Sequence, residues 1–257
     1  MDFLANYFGS LNPMSFLSAL PGNIAQGIIW GLMGLGVFLT FKLLNFADLS
    51  VDGSFATGGA VTAVMLINGC PVWATIIVAI LAGLAAGLVT GLLHTLLGIP
   101  DILAGILTQI ALYSINLNIM GKSNLPISYR NYTLVVSASN INMAILVGLG
   151  ICAVVIAAMY WYFGTEQGST IRSTGSNPAM SKAQGININF TKVIALALSN
   201  GLVALSGSLF AQYQGFADIN MGRGAIVIGL AAVIIGEALF GKLFRNFALK
   251  LLAVAIG

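Results

Sequence analysis

VWATIIVAILAGLAAGLVTGLLHTL, residues 72–96, contains no Lys, Arg, Asp or Glu. As a helix rising 1.5 Å per residue it is long enough to cross ~30 Å of hydrocarbon. It is continuously apolar rather than alternating, which argues against a strand of a membrane barrel. Working outward, comparable runs occupy 22–41, 46–67, 101–120, 143–163, 192–214 and 225–241, with a last one from 247 to the end. Hydrophobic residues make up 58% of the 257 and charged residues only 7%, against roughly 25% charged in soluble domains. The expected fold is all-α, a polytopic helical membrane protein with seven to eight membrane segments in one domain. The 31 glycines suit close helix packing in lipid.

Residues 1–21 mix polar and aromatic side chains and are expected at the interface. With no Lys or Arg before Lys42, they lack the basic start of a cleavable signal peptide. Asn68-Gly-Cys-Pro71 and Gly98-Ile-Pro100 read as tight turns, and 121–142 and 164–191 as the two substantial loops. Cys70 falls in a turn and Cys152 inside a span, which does not suggest a disulfide. If 164–191 is cytoplasmic, alternation puts Lys42, Arg172, Lys182, Lys192, Lys242, Arg245 and Lys250 inside, and Lys122, Arg130 and Arg223 outside. That asymmetry satisfies the positive-inside rule and the inverse topology violates it. The segment from Phe247 to Gly257 is too short to cross as a helix, so a fuller last span, or a partner for this end, is expected.

Polar residues inside the apolar runs are few. Asn45, Asp48 and Asp52, if helical throughout, share an arc of roughly 60°. They read either as a polar lining or gate at a pathway mouth or as a helix cap and first-turn acid. Asp101, after Pro100, reads as a first-turn acid. Gln109, Asn116 and Asn118 interrupt the fourth span, and Asn200 and Ser206 the sixth. Interhelical hydrogen bonds worth about 1 kcal/mol each explain them, and so does a solute path. Glu237 reads as an acid deep in the seventh span, where a proton-relay role is possible. Gly83, Gly87 and Gly91 share one helix face, as do Gly27 and Gly31; internal packing and a subunit interface both account for such stripes.

The 164–191 loop contains Gly168-Ser-Thr-Ile-Arg-Ser-Thr-Gly-Ser-Asn-Pro-Ala-Met-Ser-Lys-Ala-Gln-Gly-Ile-Asn187. Asn177 suits an N-cap, Pro178 the first helical position and Gly185 the left-handed residue past the end. Ala179 and Ala183 share a face with Met180 beside them, a small apolar surface with one adaptable side chain. Such a helix fits a groove on another protein, with Arg172 and Lys182 flanking it. A plain interfacial connector fits the same pattern.

This stretch resembles the cytoplasmic coupling loop of ABC importer permeases of the branched-chain amino acid and ribose group. Leu44-Asn-Phe-Ala-Asp-Leu-Ser-Val-Asp-Gly-Ser-Phe55 resembles the segment opening an early span of those permeases. Its form is nearest the subgroup held to import aromatic amino acids or other small solutes. The resemblance covers about residues 22–241 and breaks off where a complete last span is expected. It implies an ATPase-coupling role for Arg172, Thr174, Gly175, Asn177, Pro178, Ala179, Met180, Ala183 and Gly185. Asn45, Asp48, Asp52, Gln109 and Asn200 become candidates for the pathway or its gate. The implied partners are cytoplasmic ABC ATPase subunits, a second permease copy, an extracytoplasmic substrate-binding protein and membrane lipid, in a bacterial inner membrane. No nucleic acid, cofactor or metal is implied, and the subunit itself is expected to be non-catalytic.

The residues agree that no ATP site is encoded. Gly121-Lys122-Ser123 lacks the earlier P-loop glycine, and Gly236 to Lys242 is followed by Leu243 where Ser or Thr is required. His94 stands without ligand partners, and no paired nucleophile and base is visible. An ion-gradient transporter or channel, using Asp48, Asp52 and Glu237, is the alternative expectation, and a non-transporting membrane scaffold a third.

Overall fold

The computed structural model describes residues 13–127, 134–241 and 246–257. In chain order these form α1 (Pro13–Phe38), a π-helical turn (Leu39–Leu43), α2 (Val51–Ile67), α3 (Val72–Leu96), α4 (Asp101–Met120) and β1 (Asn124–Pro126). Then come α5 (Ile141–Phe163), α6 (Glu166–Ser176), α7 (Pro178–Ala183), α8 (Ile188–Gln214), β2 (Phe216–Asp218), α9 (Ala225–Phe240) and α10 (Phe247–Ile256). The interfacial reading of 1–21 falls largely, and those of Arg130, Lys242 and Arg245 wholly, outside the described residues.

Five described stretches are long and apolar enough to cross a membrane: Ala19–Leu43, Val72–Leu96, Asp101–Met120, Ile141–Phe163 and Ile188–Gln214. The runs expected at 46–67, 225–241 and 247–257 give the shorter helices α2, α9 and α10; the helical membrane fold holds, with five full-length spans among the described residues. α2 is short because the chain is not helical between Leu44 and Ser50.

The bundle is built around α8, which packs against α1, α2 and α3. Three hydrogen bonds hold α1 antiparallel to it. Ser199 Oγ donates to the Gly36 carbonyl (2.7 Å), Ser206 Oγ to Ile29 (2.6 Å) and Tyr213 Oη to Gly22 (2.9 Å). Both series step by seven residues (199, 206, 213 against 36, 29, 22), the spacing that keeps one seam facing its partner. On α3, the stripe Gly83, Gly87 and Gly91 meets backbone of α8 at Asn200, Leu196 and Val193. That stripe is internal packing, which lets the two backbones approach closely. On α1, Gly31 meets Ala255 of α10, whereas a β-carbon at Gly27 would find open space. Trp30 stacks on Phe55 (5.1 Å) and meets Phe210 edge-on (5.3 Å), joining α1, α2 and α8.

At the end where α4 and α8 finish, β1 and β2 pair antiparallel, with Leu125 opposite Ala217. This ribbon ties the 121–142 loop to the connection between α8 and α9. The turns at Gly69 and Gly98 form as expected, with φ of +78° and +67°.

Candidate functional site

At the far end of α1 the backbone stops being helical. Leu44 N still donates to Leu39 O and Phe46 N to Thr40 O. Asn45 then takes φ +54°, the one non-glycine residue with positive φ among those described. Asn tolerates this left-handed conformation better than most side chains. Three residues on, Asp48 Oδ1 accepts hydrogen bonds from the Ser50 amide (2.9 Å) and from the Ser50 hydroxyl. This local Asx-type turn competes with helix and delays α2 until Val51.

The helical arc expected for Asn45, Asp48 and Asp52 is therefore not formed. The three residues stand in three places. Asn45 is exposed at the corner. Asp48 is buried, and its Oδ2 accepts from Asn200 Nδ2 (2.8 Å). Asn200 Oδ1 accepts from Ser54 Oγ (2.6 Å) and, at 3.2 Å, faces Ser50 Oγ, whose shorter bond goes to Asp48. Asp48, Ser50, Ser54 and Asn200 are all at most 2% exposed. Asn200 lies twelve residues beyond Ile188, near the middle of α8, so this polar joint sits ~18 Å along that helix at 1.5 Å per residue. Irregular backbone at membrane depth persists only where protein or a water-filled cavity satisfies it, and here buried side chains do so. The cap position of α2 is Ser50, without a side-chain cap bond, so Asp48 braces the turn that precedes the helix.

Asp52 lies in the first turn of α2, yet its carboxylate serves another helix. Oδ2 accepts from the Gly224 amide (3.0 Å) and Oδ1 from the Ile226 amide (2.9 Å), at the start of α9. Those amides have no partner within their own helix, and the negative charge suits the positive end of the α9 dipole. The approach is close: a β-carbon on Gly222 would overlap the Asp52 carbonyl oxygen. Beside this junction, Asp52, Gln109, Ile110, Tyr113, Asn116 and Arg223 line a cleft of about 280 Å³. Gln109 and Asp52 thus come together, while Asp48 and Asn200 form a separate buried joint. Asn118 is exposed.

The 164–191 stretch holds two helices rather than one. α6 was not legible as a helix because it is rich in Ser and Thr, which favour caps and turns. Four of its hydroxyls are absorbed internally: Ser169, Thr170, Ser173 and Ser176 each donate to the carbonyl three residues back. The signal for it was Thr165, whose Oγ1 accepts from Gly168 N, followed by Glu166 in the first turn. Thr174 is buried, and Gly175 packs on the backbone of Leu43 and Leu44, where a β-carbon would collide. Arg172 projects outward, with its guanidinium 5.0 Å from the ring centroid of Phe247 in α10, within cation–π range.

α7 forms where its caps put it. Asn177 Oδ1 accepts from Met180 N (3.0 Å) and Pro178 occupies the first turn. Gly185 has φ +81°; its amide donates to Lys182 O and that of Ile186 to Ser181 O. This pair of bonds is the Schellman closure. Ser181 faces inward, whereas Ala179, Met180, Lys182 and Ala183 are exposed.

Further cations gather at this end. Lys192 Nζ lies 2.9 Å from His94 Nε2, while His94 Nδ1 lies 2.8 Å from the Ile99 carbonyl. A carbonyl only accepts, so Nδ1 carries the ring proton and Nε2 accepts a hydrogen bond from the Lys192 ammonium. Glu237, expected deep in a span, is instead half-exposed in the last turn of α9 and paired with Lys42 at 2.9 Å. Lys42, Arg172, Glu237, Phe247 and Lys250 line one cavity.

The family described as branched-chain amino acid transport system / permease component matches residues 22–257. The tyrosine transport system permease protein of Clostridioides difficile is 43% identical over 227 residues, covering 88% of this chain and 75% of the relative. An uncharacterized protein of Rickettsia prowazekii is 33% identical, over 88% of this chain and 80% of its own. The D-allose transport system permease protein of Escherichia coli is 28% identical, over 97% and 77% respectively.

Proposed function

The chain belongs to the branched-chain amino acid transport system / permease component family, and from that membership we propose how its parts divide the work of an ABC importer. It is the membrane permease, set in the bacterial inner membrane. A separate cytoplasmic ATPase docks on α7 through Ala179, Met180 and Ala183, with the helix held in shape by Asn177, Pro178 and Gly185. Thrust on α7 passes to α6, where Arg172 reaches α10 and where Thr174 and Gly175 lie near the π-helical turn. A second copy of the permease completes the path, and an extracytoplasmic binding protein delivers the solute. ATP chemistry belongs to the ATPase, and this subunit contributes shape change alone.

Asp52 and Gln109 line the path for a small solute of the amino-acid kind. Asp48 and Asn200 hold the α2 start that gates it, and Asn45 forms the corner at which the gate bends. The observation carrying this reading is α7 itself, a firmly capped helix whose small apolar face is exposed. Its cation-rich surroundings support the cytoplasmic side. Ala179→Glu combined with Ala183→Glu tests it. Both positions are exposed, so folding is retained. The expected result is loss of ATPase co-purification at an unchanged melting temperature; undiminished association would refute the docking assignment.

A further inference from the structure

Asn116 is 1% exposed, and neither its Oδ1 nor its Nδ2 has a hydrogen-bond partner among the described residues. Buried amides are almost always partnered, and each exception calls for an explanation. Asn116 lines the cleft between α2, α4 and the turn before α9, so a partner can come from that space. The same cleft carries opposite charges. Arg223 is exposed on the turn and makes no ion pair among the described residues. Each Asp52 carboxylate oxygen accepts one hydrogen bond from the start of α9, which leaves lone pairs for a further donor. Ile110 and Tyr113 supply an apolar wall.

We propose that this cleft is a transit site for a free zwitterionic amino acid, its carboxylate on Arg223, its ammonium on Asp52, a polar contact to Asn116 and its side chain against Ile110 and Tyr113. The solute's carboxylate goes to Arg223 and not to the α9 start, because Asp52 already occupies the amides there. A guanidinium pairs with carboxylate in two parallel hydrogen bonds, a match that neutral sugars cannot offer. A cleft of about 280 Å³ has room for a single amino acid. As a station on the permease path, the site rests on the function proposed above.

The test is saturation-transfer NMR with millimolar L-phenylalanine on the purified full chain in lipid nanodiscs, without any ATPase. Phenethylamine, 3-phenylpropionate and D-ribose serve as comparison ligands, and melting temperature is recorded for every variant. L-phenylalanine is expected to bind at least tenfold more tightly than either half-molecule, and D-ribose not to compete. Arg223→Gln is expected to weaken L-phenylalanine about tenfold and leave phenethylamine unchanged. Asn116→Leu is expected to weaken binding without lowering the melting temperature, because it deletes two unpaired polar atoms. The proposal is overturned by absent saturable binding, by equal competition from D-ribose or by indifference to Arg223→Gln. It is equally overturned if Asn116→Leu lowers the melting temperature and leaves binding intact. Because no ATPase is present, failure here leaves α7 docking standing, and failure of docking leaves this binding result standing.

Discussion

Asn200→Leu isolates the buried joint that starts α2. The substitution nearly conserves volume and deletes three hydrogen bonds, to Asp48 Oδ2 (2.8 Å) and Leu196 O (3.0 Å) and from Ser54 Oγ (2.6 Å), together with the 3.2 Å approach of Ser50 Oγ. Three of these losses are softened. Ser50 Oγ keeps its bond to Asp48, and Leu196 O keeps its helical role. Ser54 Oγ can turn to the Ser50 carbonyl, as Thr57 and Thr62 do to carbonyls four residues back. What is not replaced is the donor to Asp48 Oδ2. A hydrogen bond to a charged group contributes about 1.5–3 kcal/mol, above the ~1 kcal/mol usual between membrane helices. The expected destabilisation is therefore about 2–3 kcal/mol, measured by denaturant titration of the purified chain in lipid–detergent micelles. Because breaking one partner strands the other, Asp48→Leu in the same chain should recover part of the loss, with a coupling of at least ~1 kcal/mol. A single variant within about 0.5 kcal/mol of the parent, or two substitutions that simply add, would refute the reasoning.

Two further outcomes follow from local geometry. Gly222→Ala forces a β-carbon onto the Asp52 carbonyl, and overpacking of this kind costs about 1–3 kcal/mol; hydrogen exchange should rise first at the start of α9. Glu237→Gln removes a half-exposed ion pair with Lys42 that contributes less than ~1 kcal/mol. ATP-driven uptake by the assembled complex should therefore persist, and its abolition would favour a proton-coupled transporter instead.

What the sequence disclosed depended on how far away the deciding partners lie. α3 and α4 begin and end where their runs predict, because Asn68-Gly-Cys-Pro71 and Gly98-Ile-Pro100 are local turn signals. α7 was legible for the same reason, its three cap residues lying within nine positions. Leu44 to Ser50, by contrast, reads equally well as the start of a span. Its departure from helix is stabilised by Asn200, 152 positions on. Asp52 reads as either a pathway lining or a first-turn acid, and nothing local shows that Gly224 and Ile226, 172 and 174 positions on, donate to it. Arg223 was read only as an outward charge, and nothing local to it announces the cleft it lines.

Asp52 belongs to α2 by covalent chain and to the α9 start by hydrogen bonding. Parting those helix starts would bare two amides and a carboxylate together, whereas swivelling about the carboxylate keeps both bonds near their length. The cheap motion is thus rotation about a fixed pivot, not separation. Toward its opposite end α9 also carries the half-exposed Lys42–Glu237 pair, a weak latch beside a strong hinge. A displacement arriving at that latch would be geared through α9 and felt, reversed in direction, on the other side of Asp52.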